Sequence, residues 1–138
     1  MQLAQAQTQT PYGAVTESRA LKLPCVFVDA AGDSYFGEVD ALEAGGPRGG
    51  ERIFNLTSWQ VWETKPGFVA DFKPAPAPQA LAIMAGRLEV TVSAGEKRFF
   101  GRGDLFLLQD VSGKGHAVRT IGSDKASVML MTLKAPVT

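Results

Sequence analysis

The sequence predicts an all-β protein with one domain, folded as an antiparallel β-barrel of jelly-roll type. Short runs alternate apolar and polar residues, turns that contain glycine separate them, and no long amphipathic helical pattern interrupts them. The pattern is densest in residues 79–116, where four such runs follow one another and end at the single histidine. A chain of 138 residues, 45% of them hydrophobic, is long and apolar enough for one core.

The first strands are predicted on either side of a hairpin turn. Two β-rich runs flank the turn at residues 30–33, which reads Ala-Ala-Gly-Asp. Residues 40–52 carry four glycines and a proline and are predicted to form a surface loop. Residues 1–15 are polar and predict an arm that is disordered or packed on a partner, which leaves residues 16–138 as the β-domain.

The middle of the chain predicts a strand with one tryptophan on each face. In residues 53–64 Trp59 and Val61 share one face and Trp62 lies on the other, so one tryptophan is expected to face the interior. A short strand over residues 68–73 then runs into a proline-rich rim segment at residues 74–78, which cannot donate ladder hydrogen bonds.

The remaining strands are predicted to follow closely. Their ranges are 79–84, 87–93, 97–100, 105–109, 116–121 and 126–133. In the second of them Leu88, Val90 and Val92 are expected inside, while Glu89 and its polar neighbours are expected outside. The first, apolar on both faces, is expected to be covered on both sides.

Charge and cysteine content exclude several classes of partner. Fourteen basic residues balance fourteen acidic ones, so no net field favours nucleic acid or an anionic membrane. The N-terminus lacks a signal-peptide pattern, and no apolar run is long enough to span a bilayer. The single cysteine, Cys25, forms no intrachain disulfide and is expected to be a small buried hydrophobe. These features predict a soluble, cytoplasmic protein.

Two segments resemble the signature motifs of the cupin superfamily. Gln79 and Gly86 match the end of the first motif, and residues 103–104, an apolar strand and residues 113–116 match the second. The phrase Gly-Lys-Gly-His resembles a bacterial subgroup of unassigned function. The resemblance spans roughly residues 26–133. It implies a cupin-type barrel that holds a small molecule, and a homodimer, as cupins often are.

The resemblance also implies a metal position, and most of its ligands are missing here. Functional cupins commonly hold a divalent metal with two histidines and a carboxylate of the first motif and one histidine of the second. This chain keeps only His116; residues 72–75 stand where the first-motif histidines would be, with Lys73 as the best match, and Gln79 replaces the carboxylate. One imidazole and a neutral amide fall short of a metal site. We therefore expect no metal and no cofactor.

The resemblance implies that Lys73, Gln79 and His116 converge in the mouth of the barrel. An imidazole can move protons near neutral pH, a lysine can stabilise an enolate or carboxylate, and an amide can orient a ligand. These roles predict a metal-independent cyclase, isomerase or lyase acting on a small, largely apolar molecule. One alternative is a binding module without catalysis, in which His116 is a hydrogen-bonded barrel residue and Lys73 is a solvated charge at the rim. Another is a metal-dependent oxygenase with atypical ligands.

Further residues are predicted around this site. Asp71 lies two positions before Lys73 and is expected on the same strand face, where it could pair with the ammonium group. Whether Phe72 or Lys73 faces the cavity depends on the register. The aromatic residues that could line an apolar pocket, or simply form core, are Trp59, Trp62, Phe68, Phe72 and Phe106.

The loop before His116 has two interpretations. Asp110 and Lys114 could contact a ligand, or Asp110 could cap a turn while Lys114 points to water. The glycines of residues 113–115 lack the spacing and the following helix of a phosphate-binding loop. No Gly-x-Ser-x-Gly motif is present, and Cys25 is far in sequence from His116, so covalent catalysis is not predicted.

Overall fold

The computed structural model describes residues 21–42, 44–46, 48–123 and 125–138. These residues form twelve strands and no helix. The strands are β1 (Lys22–Val28), β2 (Ser34–Asp40), β3 (Ala44–Gly46), β4 (Gly49–Gly50), β5 (Leu56–Glu63), β6 (Val69–Lys73), β7 (Gln79–Ala85), β8 (Arg87–Val92), β9 (Lys97–Gly101), β10 (Leu105–Leu108), β11 (His116–Thr120) and β12 (Ser127–Leu133). The all-β prediction is confirmed. The arm predicted at residues 1–15 lies outside the described residues.

Two sheets face each other across the main core. The six-stranded sheet has the order β2-β1-β10-β7-β12-β5, and the four-stranded sheet has the order β6-β11-β8-β9. The sheets do not close on each other, so the predicted jelly-roll fold takes the form of a sandwich. The pair β1–β10 is parallel, which corrects the expectation that all strands are antiparallel. β3 and β4 pair separately within the predicted surface loop.

The core follows the alternation of the sequence. Leu88, Val90 and Val92 of β8 are fully buried between the sheets, as predicted. A second apolar cluster lies on the other face of the six-stranded sheet, where Phe54 and the C-terminal Val137 cover it. β7 contributes to both clusters, because its alternate residues face opposite sides. This explains why its sequence is apolar on both faces.

The turns form where the sequence places them. The β1–β2 hairpin closes at Asp29, whose carboxylate accepts hydrogen bonds from the backbone N–H groups of Ala31 and Asp33 at 2.9 and 3.0 Å. At the corner before β10, Asp104 accepts a hydrogen bond from the Gly101 N–H at 2.7 Å. Short polar side chains that bond to nearby backbone stabilise such turns.

Glu89 departs from the predicted pattern. It lies on the outward face of β8 as expected, yet it is buried, because Arg119 covers it from the neighbouring strand β11. The guanidinium donates two hydrogen bonds of 2.8 Å to the two carboxylate oxygens. Lys97 adds a positive charge 3.9 Å away. The hydrogen bonds from Arg119 lower the pKa of Glu89 below its ordinary value of 4.5, although burial opposes the shift.

The lowered pKa of Glu89 predicts how the stability of the protein depends on pH. Because its pKa is lower in the folded protein, Glu89 stabilises the fold fully above pH 4.5, and this contribution is lost as the pH falls through its folded-state pKa. Glu89→Gln should therefore be less stable than wild type at neutral pH, with a difference that shrinks in acid. Urea denaturation across the pH range would measure it. A difference that stays constant down to strongly acidic pH would contradict the assignment.

Candidate functional site

A cavity opens between the two sheets beside the proline-rich rim segment. Its volume is about 250 Å³, at the small end for ligand sites. Apolar side chains from both sheets form most of its wall: Trp62, Phe68, Leu81, Leu88, Phe106, Leu108, Val118 and Leu130. The polar side chains that line it are Asp71, Lys73, Gln79 and His116. All three residues predicted to carry the chemistry therefore line one cavity.

His116 is held by a carboxylate that lies behind it. Its Nδ1 is 2.6 Å from Oδ2 of Asp110, which is fully buried. Since a carboxylate only accepts hydrogen bonds, Nδ1 is the protonated nitrogen of the neutral ring, and Nε2 is the one left for a ligand. The side chain of His116 is only 11% exposed, so the pair is largely shielded from water. The Asp110 side chain bonds to His116, and the interpretation in which Asp110 caps a turn does not account for this hydrogen bond.

The second oxygen of Asp110 is less well satisfied. Its Oδ1 is buried and has no hydrogen-bond partner among the described residues. The Asp110 backbone is better anchored, because its carbonyl accepts a hydrogen bond from the Ala75 N–H at 3.0 Å. Because the imidazole is the hydrogen-bond donor that the buried carboxylate contacts, the interaction between the two groups is expected to be strong.

A β-bulge in β6 decides which residue faces the cavity. Lys73 pairs with His116 and Ala70 pairs with Val118, so two residues of β6 oppose one residue of β11. Lys73 and Ala70 line the cavity and Phe72 does not, although the side chains of both Lys73 and Phe72 are exposed. The register question left open by the sequence is settled in favour of Lys73. Directly opposed residues have Cβ atoms about 5 Å apart, so Lys73 and His116 are immediate neighbours.

Asp71 and Gln79 complete the polar lining. The carboxylate of Asp71 accepts a hydrogen bond from the Phe72 N–H at 2.7 Å, and no ion pair with Lys73 forms among the described residues. The predicted Asp71–Lys73 pairing is therefore not found. Both residues line the cavity, but the Asp71 carboxylate is engaged by the neighbouring backbone N–H instead. Gln79 begins β7 and reaches the cavity from the opposite sheet, where it is buried.

The predicted aromatic residues divide into two groups. Trp62 packs edge-on against Phe68 with ring centroids 5.2 Å apart, and both line the cavity together with Phe106. Trp59 and Phe72 do not line it, and Trp59 is 64% exposed on β5. The expectation that one tryptophan faces the interior is met by Trp62, because the two alternate along the strand.

Lys114 and Cys25 stand outside the cavity. Lys114 forms an ion pair with Asp33 at 2.7 Å and has a largely exposed side chain. Cys25 is buried on the far face of the six-stranded sheet, where burial raises the pKa of its thiol to about 11. A thiol with this pKa is protonated at neutral pH and is a poor nucleophile.

The residues at the cavity do not fit the divalent metal that the resemblance implies. Nδ1 of His116 is occupied by Asp110, Gln79 offers only a neutral amide, and Lys73 adds a positive charge beside them. No group of three His, Cys, Asp or Glu side chains in the described ranges could hold a metal ion. A typical site needs three or four such donors.

Solved structures similar to this protein include several named as cupin domains. The cupin domain of Cnp3 from Schizosaccharomyces pombe is 15% identical, with a TM-score of 0.48 over 83% of this chain and 88% of its own. A cupin domain from Bordetella pertussis is 15% identical, with a TM-score of 0.45 over 86% and 98%. A DUF861 family protein from Thermotoga maritima is 18% identical, with a TM-score of 0.45 over 54% and 77%.

These similarities are too distant to assign a function. The structures named are under 20% identical to this chain and have TM-scores below 0.5. No family model matches the sequence. No curated protein matches it significantly either. The chemistry of the site must therefore be argued from its own residues.

Sequence reasoning missed why the loop before His116 is rich in glycine. Gly115 has a φ of +77°, and a Cβ there would lie 1.9 Å from the backbone carbon of Lys73. Gly113 has a φ of +78°, and a Cβ there would lie 2.5 Å from the carbonyl oxygen of Gly32. Both glycines therefore permit close backbone contact. The spacing from Asp110 to His116 across two glycines is the signal that could have revealed the contact between them.

The close approach at Gly115 predicts a large effect of a single methyl group. Gly115→Ala should lower the free energy of unfolding by about 3 kcal/mol or more, since strain at positive φ is added to a clash with the backbone. Gly122→Ala is the matched control, because its φ is +74° and no atom of the described residues lies within 4 Å of the added Cβ. It should cost only about 1 to 2 kcal/mol. Chemical denaturation would compare them, and equal losses would contradict the close approach.

Proposed function

We propose that this protein binds a small, largely apolar molecule between its sheets and transfers a proton on it with His116. The observation that carries the proposal is the short hydrogen bond from His116 to the buried Asp110 at the wall of an apolar cavity. Such a carboxylate fixes the imidazole tautomer and stabilises the imidazolium that forms when Nε2 accepts a proton. The lone cysteine favours action in the cytoplasm.

His116 acts first as a base and then as an acid. Nε2 removes a proton from a carbon next to a carbonyl or carboxylate group; the C–H electrons form a C=C bond, and the C=O π electrons move to the oxygen to give an enolate. When the C=O bond re-forms, the imidazolium returns the proton to another atom of the ligand, or gives it to a leaving group that departs with its bonding electrons. This sequence is common to isomerisation, cyclisation and elimination, and it requires no redox partner.

Lys73 and Gln79 act on the oxygen that becomes negative. Lys73 is the cross-strand neighbour of His116, and we assign its exposed ammonium group the role of stabilising an enolate formed beside the imidazole. Gln79 approaches from the opposite sheet and orients the same group with its amide N–H. The apolar wall excludes water and holds the body of the ligand, and it strengthens both interactions.

The rival function is ligand binding without catalysis. The same apolar wall supports it, since a largely apolar cavity binds small molecules whether or not proton transfer follows. The two differ in what happens after binding. Exchange of a ligand hydrogen with solvent occurs only if His116 removes it.

We expect carbonyl compounds that bind in the cavity to exchange hydrogen with D₂O. Trp59→Phe leaves Trp62 as the only tryptophan, so its fluorescence would identify binders among small aromatic ketones and carboxylic acids. Deuterium incorporation, followed by NMR, should fall about 100-fold or more in His116→Gln. Lys73→Met should also reduce it, whereas Lys65→Met, which alters an exposed lysine outside the cavity, should not.

Two results would contradict this assignment. Binding without exchange in the wild-type protein would leave only the binding module. Exchange that persists in both His116→Gln and Lys73→Met would place the chemistry elsewhere. A ligand that changes the fluorescence of Trp59 in Trp62→Phe, but not that of Trp62 in Trp59→Phe, would show that it binds outside the cavity.

We further propose a homodimer that forms through β5. This strand is an edge of the six-stranded sheet, and Trp59 and Val61 are each 64% exposed on it. Its last residue, Glu63, is already paired with Lys125 at 3.2 Å, so the strand presents little unbalanced charge. Long apolar edge strands without charge protection favour pairing with another chain.

Disrupting the exposed face of β5 should therefore separate the protomers. Trp59→Asp is expected to convert a dimer into a monomer, as measured by size-exclusion chromatography with light scattering. Phe99→Asp is the control, because Phe99 is 61% exposed on the edge strand of the other sheet. A wild-type protein that is monomeric at high concentration, or equal dissociation by both variants, would refute the β5 interface.

A further inference from the structure

Two serines join the sheets next to the loop that carries His116. The Ser34 N–H donates a hydrogen bond to Oγ of Ser93 at 2.7 Å, and the Ser93 N–H donates one to Oγ of Ser34 at 2.8 Å. Ser34 begins β2 in the six-stranded sheet, and Ser93 directly follows β8 in the four-stranded sheet. Ser34 is fully buried. This reciprocal pair leaves the Ser34 hydroxyl proton available for one further contact.

The Ser34 hydroxyl uses that proton to hold the residue before His116. Its Oγ donates a hydrogen bond of 2.7 Å to the carbonyl oxygen of Gly115. A hydroxyl has a single proton to donate, so this bond and the one accepted from Ser93 define its orientation. Gly115 is itself buried, and its carbonyl would lose a partner if the hydroxyl were removed.

The loop has few other restraints of comparable strength. Gly113 and Gly115 both adopt positive φ, and glycine backbone is the costliest to order. Lys114 bonds to Asp33 at 2.7 Å, but that pair is partly exposed and screened by water. The Lys114 N–H also donates to the Gly32 carbonyl at 2.9 Å. Apart from Asp110, which bonds to His116 itself, Ser34 therefore supplies a buried side-chain anchor directly before His116.

The two ends of the His116–Asp110 contact depend on different sheets. Asp110 follows β10 of the six-stranded sheet, whereas His116 is the first residue of β11 in the four-stranded sheet. His116 pairs with Lys73 of β6 and Val92 of β8, but along the chain the ladder continues only on its C-terminal side. Ser34 ties the other side, through Gly115, to the sheet that carries Asp110.

We propose that Ser34 is a positioning residue for the His116–Asp110 pair. By holding the Gly115 carbonyl, it keeps Nδ1 of His116 on Asp110 and leaves Nε2 to the cavity. The geometry of the pair does not depend on any substrate, and only the consequence for turnover rests on the proposed proton transfer.

The single histidine makes this directly measurable. In ¹⁵N-labelled protein, one imidazole gives the long-range ¹H–¹⁵N signals, and these distinguish the Nδ1–H from the Nε2–H tautomer of the neutral ring. The wild-type protein should show predominantly Nδ1–H. Ser34→Ala should lower the ratio of Nδ1–H to Nε2–H about fivefold, the change that the loss of one ordinary hydrogen bond produces.

Ser93→Ala is the matched control. It removes the other serine of the pair but leaves the hydroxyl of Ser34 and its bond to Gly115, so the tautomer ratio should stay near that of wild type. Ser34→Cys retains the side-chain volume with a weaker donor and should give an intermediate ratio. If Ser34→Ala does not fold, Ser34→Cys decides the question alone.

The outcomes separate the inference from the proposed function. A wild-type ratio in Ser34→Ala or Ser34→Cys, or an equal fall in Ser93→Ala, overturns the positioning role. A lowered ratio at Ser34 alone supports it, even if no ligand undergoes hydrogen exchange. In that case the proton transfer fails while the positioning of His116 stands.

Discussion

The hydrogen bond between His116 and Asp110 crosses the domain, from the start of β11 in one sheet to the end of β10 in the other. Only five residues connect the two side chains, so the loop must turn sharply and pass close to neighbouring backbone. Gly115 meets this demand where it lies against Lys73, and Gly113 meets it where it lies against the β1–β2 hairpin. The contact thus dictates the composition of the loop that precedes it.

The same contact gives the cavity its chemical character. Its wall is mainly apolar, and polar groups are confined to one region where Lys73, Gln79 and His116 meet. In such surroundings electrostatic interactions are stronger than in water, because few solvent dipoles compete. A bulge in β6 brings Lys73 to the cavity lining, although its side chain stays exposed. The cation of Lys73 and the amide of Gln79 suit an anionic oxygen better than a metal ion.

Buried polar pairs occur outside the cavity as well, and each one bridges separate segments. Glu89 and Arg119 connect neighbouring strands on the outer face of the four-stranded sheet. Gln109 exchanges hydrogen bonds of 2.8 and 2.5 Å with the backbone of Val137 and so fixes the C-terminal segment over the second apolar cluster. Because a buried polar group without a partner is destabilising, these pairs specify how the segments meet.

The sequence alone determined the strands, the turns and the meeting of Lys73, Gln79 and His116 at one cavity, the last through its resemblance to cupin motifs. Alternation and glycine turns are local signals, so they can be recognised in the sequence without knowledge of the fold. Tertiary structure alone decided that Lys73 rather than Phe72 lines the cavity, that Asp110 supports His116, and that Glu89 is buried on an outward face. Each of these features depends either on a partner distant in sequence or on a bulge that breaks the two-residue period of a strand. Neither cause can be recognised from the residues nearby in the sequence.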